Sequence, residues 1–561
     1  MPVAGADGSG TKGGRKLSEE AVIRDAGRSA ARLDHKHPLH ASAVPAWTSQ
    51  AGPFIALGVL TMGAVYAGYA LLSDLAAAPS PGALVYTLLG LALLIALGFE
   101  FVNGFHDTAN AVATVIYTHS LPAYFAVIWS GFFNFVGVLT STGAVAFGII
   151  SLLPVELILQ VGSNAGFAMV FALLIAAIIW NVGTWYFGIP NSSSHALIGS
   201  IIGVGVMNQI MSAGNSGTSG VDWGQALGVG KSLLFSPLAG FFIAALLLLI
   251  AKSLIRIPAL YKAPVGGAPP PWWIRALLVL TCTGVSFAHG SNDGQKGMGL
   301  IMLILIGTVP TTYALNRSLP DSFPPDFAKA SAAAAQIIEK KAAGYNVLGN
   351  PRPAVTLYVA QHKISEGTYP SLALLVSQIG DQVKQSGSLA KLPVDKVGNT
   401  RNDMYLASEA IRLLMKDKEA DLSGEEVATL NAYKKALDTG TKFIPTWVKV
   451  AVAIALGLGT MVGWRRIVVT VGEKIGKQHL TYAQGGSAEL VAMGLIMAAD
   501  NYGLPVSTTH VLSSGVAGTM AANRSGLQAS TIKNLILAWV MTLPAAIVLS
   551  GSLFALFLYL F

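Results

Sequence analysis

The chain has 561 residues, of which 53% are hydrophobic and 11% charged, and its net charge is +8. Soluble domains carry about 25% charged residues, so the composition excludes an ordinary soluble domain; no basic tract interleaves with aromatics, which removes nucleic acid as the reason for the positive charge. The single cysteine, Cys282, excludes an internal disulfide and a multi-cysteine metal centre, and in its apolar setting it reads as a small packing residue.

Residues 1–50 form a polar tail with seven Lys/Arg and five Asp/Glu and a Gly/Ser-rich start, the composition of a disordered segment. A cleavable signal would place its apolar core close to the N-terminus, so none is expected. His35-Lys-His37-Pro-Leu-His40 offers a weak metal site, but a solvated basic tail is the simpler account. Apolar stretches then recur near 53–77, 83–118, 123–153, 165–187, 189–211, 229–256, 272–310, 445–463, 484–501, 506–522 and 532–561. Most have the length that crosses about 30 Å of hydrocarbon as helix. The expected fold is an all-α polytopic membrane protein with about 10–12 transmembrane helices.

Two polar motifs each occur twice inside these apolar stretches. Phe101-Val-Asn-Gly-Phe-His-Asp-Thr-Ala-Asn110 aligns with Phe287-Ala-His-Gly-Ser-Asn-Asp-Gly-Gln-Lys296, and Gly188-Ile-Pro-Asn-Ser-Ser-Ser-His195 aligns with Gly503-Leu-Pro-Val-Ser-Thr-Thr-His510. Polar groups at membrane depth are costly and mark substrate or ion pathways. Their duplication predicts a repeated fold with its site at the repeat interface, as in secondary transporters.

Asp107 and His195 are 88 residues apart and Asp293 and His510 are 217, so the second copy is longer by 129. Residues 313–444, with 16 Lys/Arg and 14 Asp/Glu, read as a soluble helical insert. The chain therefore divides into the tail (1–50), a membrane region with the first repeat (51–270), the start of the second repeat (271–312), the insert (313–444) and the rest of the second repeat (445–561). Trp464-Arg465-Arg466 and Lys474–Lys477 place the loop after 445–463 in the cytoplasm, and Lys252, Arg256 and Lys262 do the same for 252–270. The insert is then extracytoplasmic, and periplasmic in a Gram-negative host.

The stretches 83–118 and 272–310 are too long for one span and hold the first motif near their middles. Each is expected as a broken helix or re-entrant hairpin, with Gly104, Gly290 and Gly294 at the break. Pro190 and Pro505 suit the first turn of a new helix. That puts Ser192, Ser193 and Ser194, and likewise Ser507, Thr508 and Thr509, at two helix N-termini, where unpaired N–H groups and hydroxyls can hold a tetrahedral oxyanion. Asp107 with Asn110, and Asp293 with Asn292, suit a cation or proton rather than the anion. His195 and His510 are candidates for proton transfer or for fixing the serine turn. Lys296, where the first copy has Asn110, needs a counter-charge, and Asp293 lies one turn away. Glu489 and Asp500 flank the span before the second Ser/Thr motif as candidate pathway carboxylates, although their counterparts near Leu174 and Trp185 are apolar.

Taken together, these motifs resemble the PiT family of inorganic phosphate transporters over roughly 85–310 and 445–560. Phe105-His-Asp107-Thr-Ala-Asn110-Ala and Ser291-Asn292-Asp293-Gly-Gln-Lys296-Gly are similar to the family's repeated Gly-Ala-Asn-Asp-Val-Ala-Asn-Ala. The Pro-x-Ser/Thr-Ser/Thr-Ser/Thr-His element, the tract Gly463-Trp-Arg-Arg-Ile-Val-Val-Thr-Val-Gly-Glu-Lys-Ile-Gly476 and Tyr482-Ala-Gln-Gly485 look like bacterial low-affinity phosphate permeases. The resemblance implies two inverted-topology repeats, a homodimer in a bacterial inner membrane, and phosphate near the midplane on Ser192–Ser194, Ser507–Thr509, Asn110 and Lys296. It also implies that phosphate travels free or as a neutral divalent-metal complex, with Asp107 and Asp293 as the candidate metal contacts, and without any resident cofactor.

The sequence departs from the family signature at His106 and Lys296, where Asn is expected. A fixed charge on Lys296 opposes a sodium ion by about 4 kcal/mol at ~4 Å and an effective dielectric near ~20. Proton coupling is therefore expected, through Asp107, Asp293 or a histidine, with sodium as the alternative ion. Sulfate or another oxyanion is the alternative substrate. A Ser/His hydrolase is disfavoured because neighbouring residues such as Ser194 and His195 rarely reach each other as nucleophile and base, and no Gly-x-Ser-x-Gly elbow is present. A passive channel is disfavoured because broken helices paired with ionisable groups suit alternating access.

Overall fold

A computed structural model describes residues 52–76, 82–153, 158, 163–211, 221–264, 268–342, 349–417 and 420–560, without the side chains of 52, 53 and 108–110. The tail, including His35, His37 and His40, lies outside the described residues, as does the side chain of Asn110. Among the described residues there is no strand beyond one isolated bridge, Gly476 with Leu527.

The membrane part comprises α1 (Gly52–Ala76), α2 (Ala83–Tyr117), α3 (Ala123–Thr140), the short α4 (Ala144–Ile150), α5 (Asn164–Tyr186), α6 (Ser193–Met211), α7 (Trp223–Leu254) and α8 (Trp272–Thr308). After the intervening helices α9 (Phe323–Lys340), α10 (Arg352–Gln361), α11 (Thr368–Ser386), α12 (Val394–Lys416) and α13 (Gly424–Thr441), it resumes with α14 (Thr446–Met461), α15 (Arg465–Val469), α16 (Tyr482–Asn501), α17 (Thr508–Ala522) and α18 (Ala529–Leu560). Eight described helices are long and apolar enough to cross a membrane, or nine if the pair α13–α14, bent by 76°, is one span. The apolar stretches outnumber these spans for plain reasons. α14 and α17 have only 16 and 15 residues, α16 carries Glu489 and Asp500, and 123–153 divides at Gly143, whose φ is 88°.

The expected breaks at 83–118 and 272–310 do not occur. α2 runs 35 residues and α8 runs 37, each as one helix through its motif. The glycines serve helix packing instead. A Cβ on Gly104 would strike the Leu456 carbonyl of α14, and one on Gly290 would strike the Asn134 carbonyl of α3. Reciprocally, Gly459 of α14 abuts the Phe101 carbonyl and Gly137 of α3 abuts the Phe287 carbonyl. The two crossings are the same crossing made twice, since Phe101 and Phe287 occupy matching motif positions.

The breaks lie at the second motif. α5 ends at Gly188 (φ 66°) and α16 at Gly503 (φ 65°), left-handed positions that glycine adopts without strain. Ile189 N–H returns to the Thr184 carbonyl at 3.0 Å, and Leu504 N–H to the Ala499 carbonyl at 2.9 Å. After each glycine the chain runs extended through Pro190 or Pro505, and the next helix starts only at Ser193 or Thr508. The prolines therefore lie ahead of the new first turn rather than within it. Helices α5–α6 and α16–α17 form two hairpins whose tips touch, with Ser194 Oγ donating to the Val506 carbonyl at 2.7 Å.

Leu153 and Val221, which bracket the first hairpin, line one cavity with Gln361 and His362 of the 313–444 region. Residues beside the open end of the second meet the basic segment 464–480: Gly476 bridges Leu527, and Gln484 Nε2 donates to Ser525 Oγ at 3.0 Å. Between residues 313 and 444, α9, α11, α12 and α13 share an apolar core that includes Phe327, Ile338, Leu375, Ile411 and Tyr433. Asn316 N–H donates to the Gly440 carbonyl at 2.8 Å, so the chain leaves and rejoins the membrane helices at one point.

Candidate functional site

The four motif segments converge on one buried cluster. Lys296 Nζ lies 2.7 Å from Asp293 Oδ2, and His289 Nε2 lies 3.4 Å from the same oxygen and 3.6 Å from Asp107 Oδ2. From the tip of the first hairpin, Ser193 Oγ reaches Asp107 Oδ2 at 3.2 Å and Asp293 Oδ2 at 3.4 Å. From the second tip, Thr509 Oγ1 donates to Asp107 Oδ1. Lys296 Nζ also approaches Ser193 Oγ at 3.5 Å. Each long helix thus supplies one carboxylate, and each hairpin supplies one hydroxyl.

Ser192 and Ser507 stand at the same helix position but do different work from Ser193 and Thr509. Each is an N-cap: Ser192 Oγ accepts from His195 N–H and Ser507 Oγ from His510 N–H, both at 3.1 Å. Ser194 spends its hydroxyl on Val506, and Thr508 is buried in the first turn of α17. The His195 and His510 rings lie 4.6 Å apart, and His510 stacks on Trp539 at 4.1 Å, so the two histidines meet each other rather than the carboxylates.

Asn292 Nδ2 faces the Leu504 carbonyl at 3.3 Å instead of Asp293. Glu489 is buried and accepts from Thr281 at 2.6 Å. Thr281 precedes Asp293 by twelve residues on α8, about 18 Å at ~1.5 Å per residue, which separates Glu489 from the cluster. Asp500 is nearer: Ser291 donates to it at 2.7 Å and Gln295 at 2.5 Å. At the equivalent place in the first copy, Phe105 packs on Trp185 with ring centroids 5.1 Å apart.

His289 and Asn134 were missed as site residues by sequence reasoning. His289 Nδ1 is 2.7 Å from Asn134 Oδ1, and Asn134 Nδ2 in turn reaches Thr460 Oγ1 at 3.3 Å. This chain orients the imidazole so that Nε2 points between the carboxylates. His289 sits within the repeated motif, opposite Asn103, so its position was the available signal. Asn134 lies on a helix outside both motifs and carried none.

Asp107, His289 and Asp293 offer three ligand atoms within 4.8 Å of one another. Two carboxylates and an imidazole form a donor set for a divalent cation that accepts nitrogen and oxygen. Beside them lie two hydroxyls and an ammonium, which are donors for an anion. The cluster therefore has complementary halves for a cation and an oxyanion.

The model of the phosphate transporter family matches residues 103–550. The chain belongs to that family. It is 41% identical over 490 residues to a low-affinity inorganic phosphate transporter, PitA, of Escherichia coli strain K12, covering 83% of this chain and 96% of the relative. It is 40% identical over 504 residues to PitB of the same strain, covering 84% and 97%. Among solved structures it is similar to a sodium-dependent phosphate transporter at 18% identity and a TM-score of 0.46, covering 85% of this chain and 100% of the other. Membership in a family of transporters accords with a multi-pass, non-enzymatic protein.

Proposed function

We propose that this family member is a proton-coupled phosphate symporter of a bacterial cytoplasmic membrane, working by alternating access around the Asp107–His289–Asp293–Lys296 cluster. The observation that carries the reading is the meeting of Ser193 and Thr509, from two separate helix N-termini, on the carboxylate of Asp107. Phosphate oxygens arriving here replace that carboxylate as acceptors for the two hydroxyls and for Lys296. A protonated phosphate oxygen can donate in return to Asp107 or Asp293, which fully ionised sulfate cannot do.

The Lys296 ammonium occupies the charge position that a sodium ion would take beside Asp293, which favours a proton as the coupling ion. Where phosphate travels as a metal complex, the divalent ion is cargo held by Asp107, His289 and Asp293, and its charge offsets the anion's. The two hairpins, whose tips touch and which carry the repeated motif, are read as inverted repeats that rock against each other. The helices between 313 and 444 are read as a periplasmic insert, and the working unit as a homodimer.

Radiolabelled phosphate uptake into proteoliposomes, with excess sulfate and with or without Mg²⁺, tests the substrate half of the proposal. Uptake unaffected by sulfate and raised by Mg²⁺, with the rise lost in H289A, is expected. Equal competition by sulfate contradicts the role given to a protonated phosphate oxygen.

A further inference from the structure

A third carboxylate stands beside the cluster and no transport step above uses it. Glu100, on α2, is fully buried. Its Oε2 receives one long hydrogen bond, from Asn103 Nδ2 at 3.4 Å, and the only other donor at the carboxyl among the described residues is the Gly297 backbone N–H, which Oε1 meets in poor geometry. The carboxyl rests against Gly297, where even a Cβ would overlap its Cγ and Oε1. Gly297 follows Lys296 directly, and Lys296 and Asp293 are within electrostatic range of Glu100.

The two repeats differ at this place in a matched way. Asp107 and Asp293 are 186 residues apart, and the same offset pairs Glu100 with Ser286 and Ala111 with Gly297. The first copy carries an acid where the second has a hydroxyl, and the second lacks the methyl that would exclude it. Ser286 Oγ is meanwhile satisfied by Ser130 at 2.9 Å and the Cys282 carbonyl at 2.8 Å. A fully buried carboxyl with only weak neutral donors is badly placed to stay ionised. It is well placed to hold a proton that comes and goes.

We infer that Glu100 carries the coupling proton. This rests on the proton-symport reading. With the site open outward, Glu100 takes one proton as phosphate reaches Lys296, because the anion engages the ammonium that otherwise offsets the Glu100 charge. Proton and phosphate then cross together. Inward release of phosphate returns Lys296 to the carboxylates, and the proton leaves to the cytoplasm. No bond other than that O–H is made or broken.

The other charged groups near α2 are already engaged. On α8 these are His289, Asp293 and Lys296; on α2 itself they are His106, which meets Thr184 at 3.2 Å, and Asp107. Helices α3, α4 and α5 contribute none. Lys449 of α14 donates to the Ser141 carbonyl, Glu489 and Asp500 of α16 are bonded as described, and His510 of α17 stacks on Trp539. Arg465, Arg466, Glu473 and Lys474 belong to the segment that meets the C-terminal end of α2, seventeen residues from Glu100.

The test compares E100Q with the parent in proteoliposomes, phosphate-free inside for the first assay and loaded with phosphate for the second. Two assays are run: accumulation driven by an imposed proton gradient, and phosphate–phosphate exchange without one. The expected result is at least a ten-fold loss of accumulation in E100Q, with exchange within two-fold of the parent and no alkalinisation outside. Normal proton-driven accumulation by E100Q overturns the inference while symport stands. Loss of exchange together with accumulation, in folded E100Q, also overturns it, because Glu100 would then be part of the phosphate site. A parent that accumulates phosphate with sodium but not with protons removes the symport reading itself, and this inference with it. If E100Q does not assemble, G297A displaces the same carboxyl without removing it, and the same pattern of lost accumulation and retained exchange is required.

Discussion

Lys296 Nζ and Asp293 Oδ2 are 2.7 Å apart, one helical turn from each other on α8, and neither side chain is exposed to solvent. A buried pair of this kind contributes little net stability, but removing one member strands the other at about 3–5 kcal/mol. K296M should therefore lower the melting temperature in detergent and abolish uptake. The double variant D293N/K296M should recover most of the melting temperature and none of the uptake. Recovery of transport in the double variant would show that neither charge touches the cargo.

The capping hydroxyl and the carboxylate-facing hydroxyl at each hairpin tip have separable roles. S192A and S507A remove matched N-caps, each worth about 1 kcal/mol, and should lower thermal stability by similar amounts with modest effects on the KM for phosphate. S193A and T509A should raise that KM about ten-fold, near ~1.4 kcal/mol, and leave melting almost unchanged. Uptake kinetics and melting curves on the same four preparations check this separation.

Packing at the motif glycines predicts a contrast between two alanine substitutions. G290A places a Cβ against the backbone carbonyl of Asn134 and should cost about 1–3 kcal/mol or more, because backbone cannot step aside as a side chain can. Gly494, in α16, has no atom within 4 Å of its would-be Cβ, so G494A should assemble and transport normally. The fraction of monodisperse protein after extraction reports the difference.

Outside the membrane helices, Asp438 lies between Lys434 at 2.6 Å and Lys442 at 2.9 Å. Burial alone would push its carboxyl up, but the two ammonium groups outweigh that and hold it below the ordinary 3.8. A depressed carboxylate stabilises the folded state above the unfolded value of about 3.9 and loses that contribution as pH falls through the folded value. Near neutral pH the parent should therefore melt above D438N, and the difference should vanish once pH has fallen below the folded value.

Much of the site was legible because it is written twice. The repeated Asp in one motif and the repeated Ser/Thr–His element in the other are the residues that α2, α8 and the two hairpin tips bring together. The position of the chain breaks was not legible. A polar cluster inside 36 or more apolar residues reads as a break, yet Asp107 meets Ser193, Thr509 and His289 from other segments, and Asp293 meets Lys296 and His289 one turn along its own helix, so neither helix need open. Gly104 and Gly290 likewise mark close helix crossings, which single-chain patterns do not distinguish from flexibility. Ser192 and Ser507 share the spacing of ligands but serve as caps, and only the hydrogen-bond directions separate them from Ser193 and Thr509. Glu100 was invisible because its partner is a missing methyl at Gly297, far away in the chain.

The measurement that most directly tests the account is phosphate accumulation by the purified parent under an imposed proton gradient, beside the same protein under a sodium gradient. Accumulation with protons alone, absent in D107N, is the predicted result. Accumulation that requires sodium and ignores the proton gradient would contradict it.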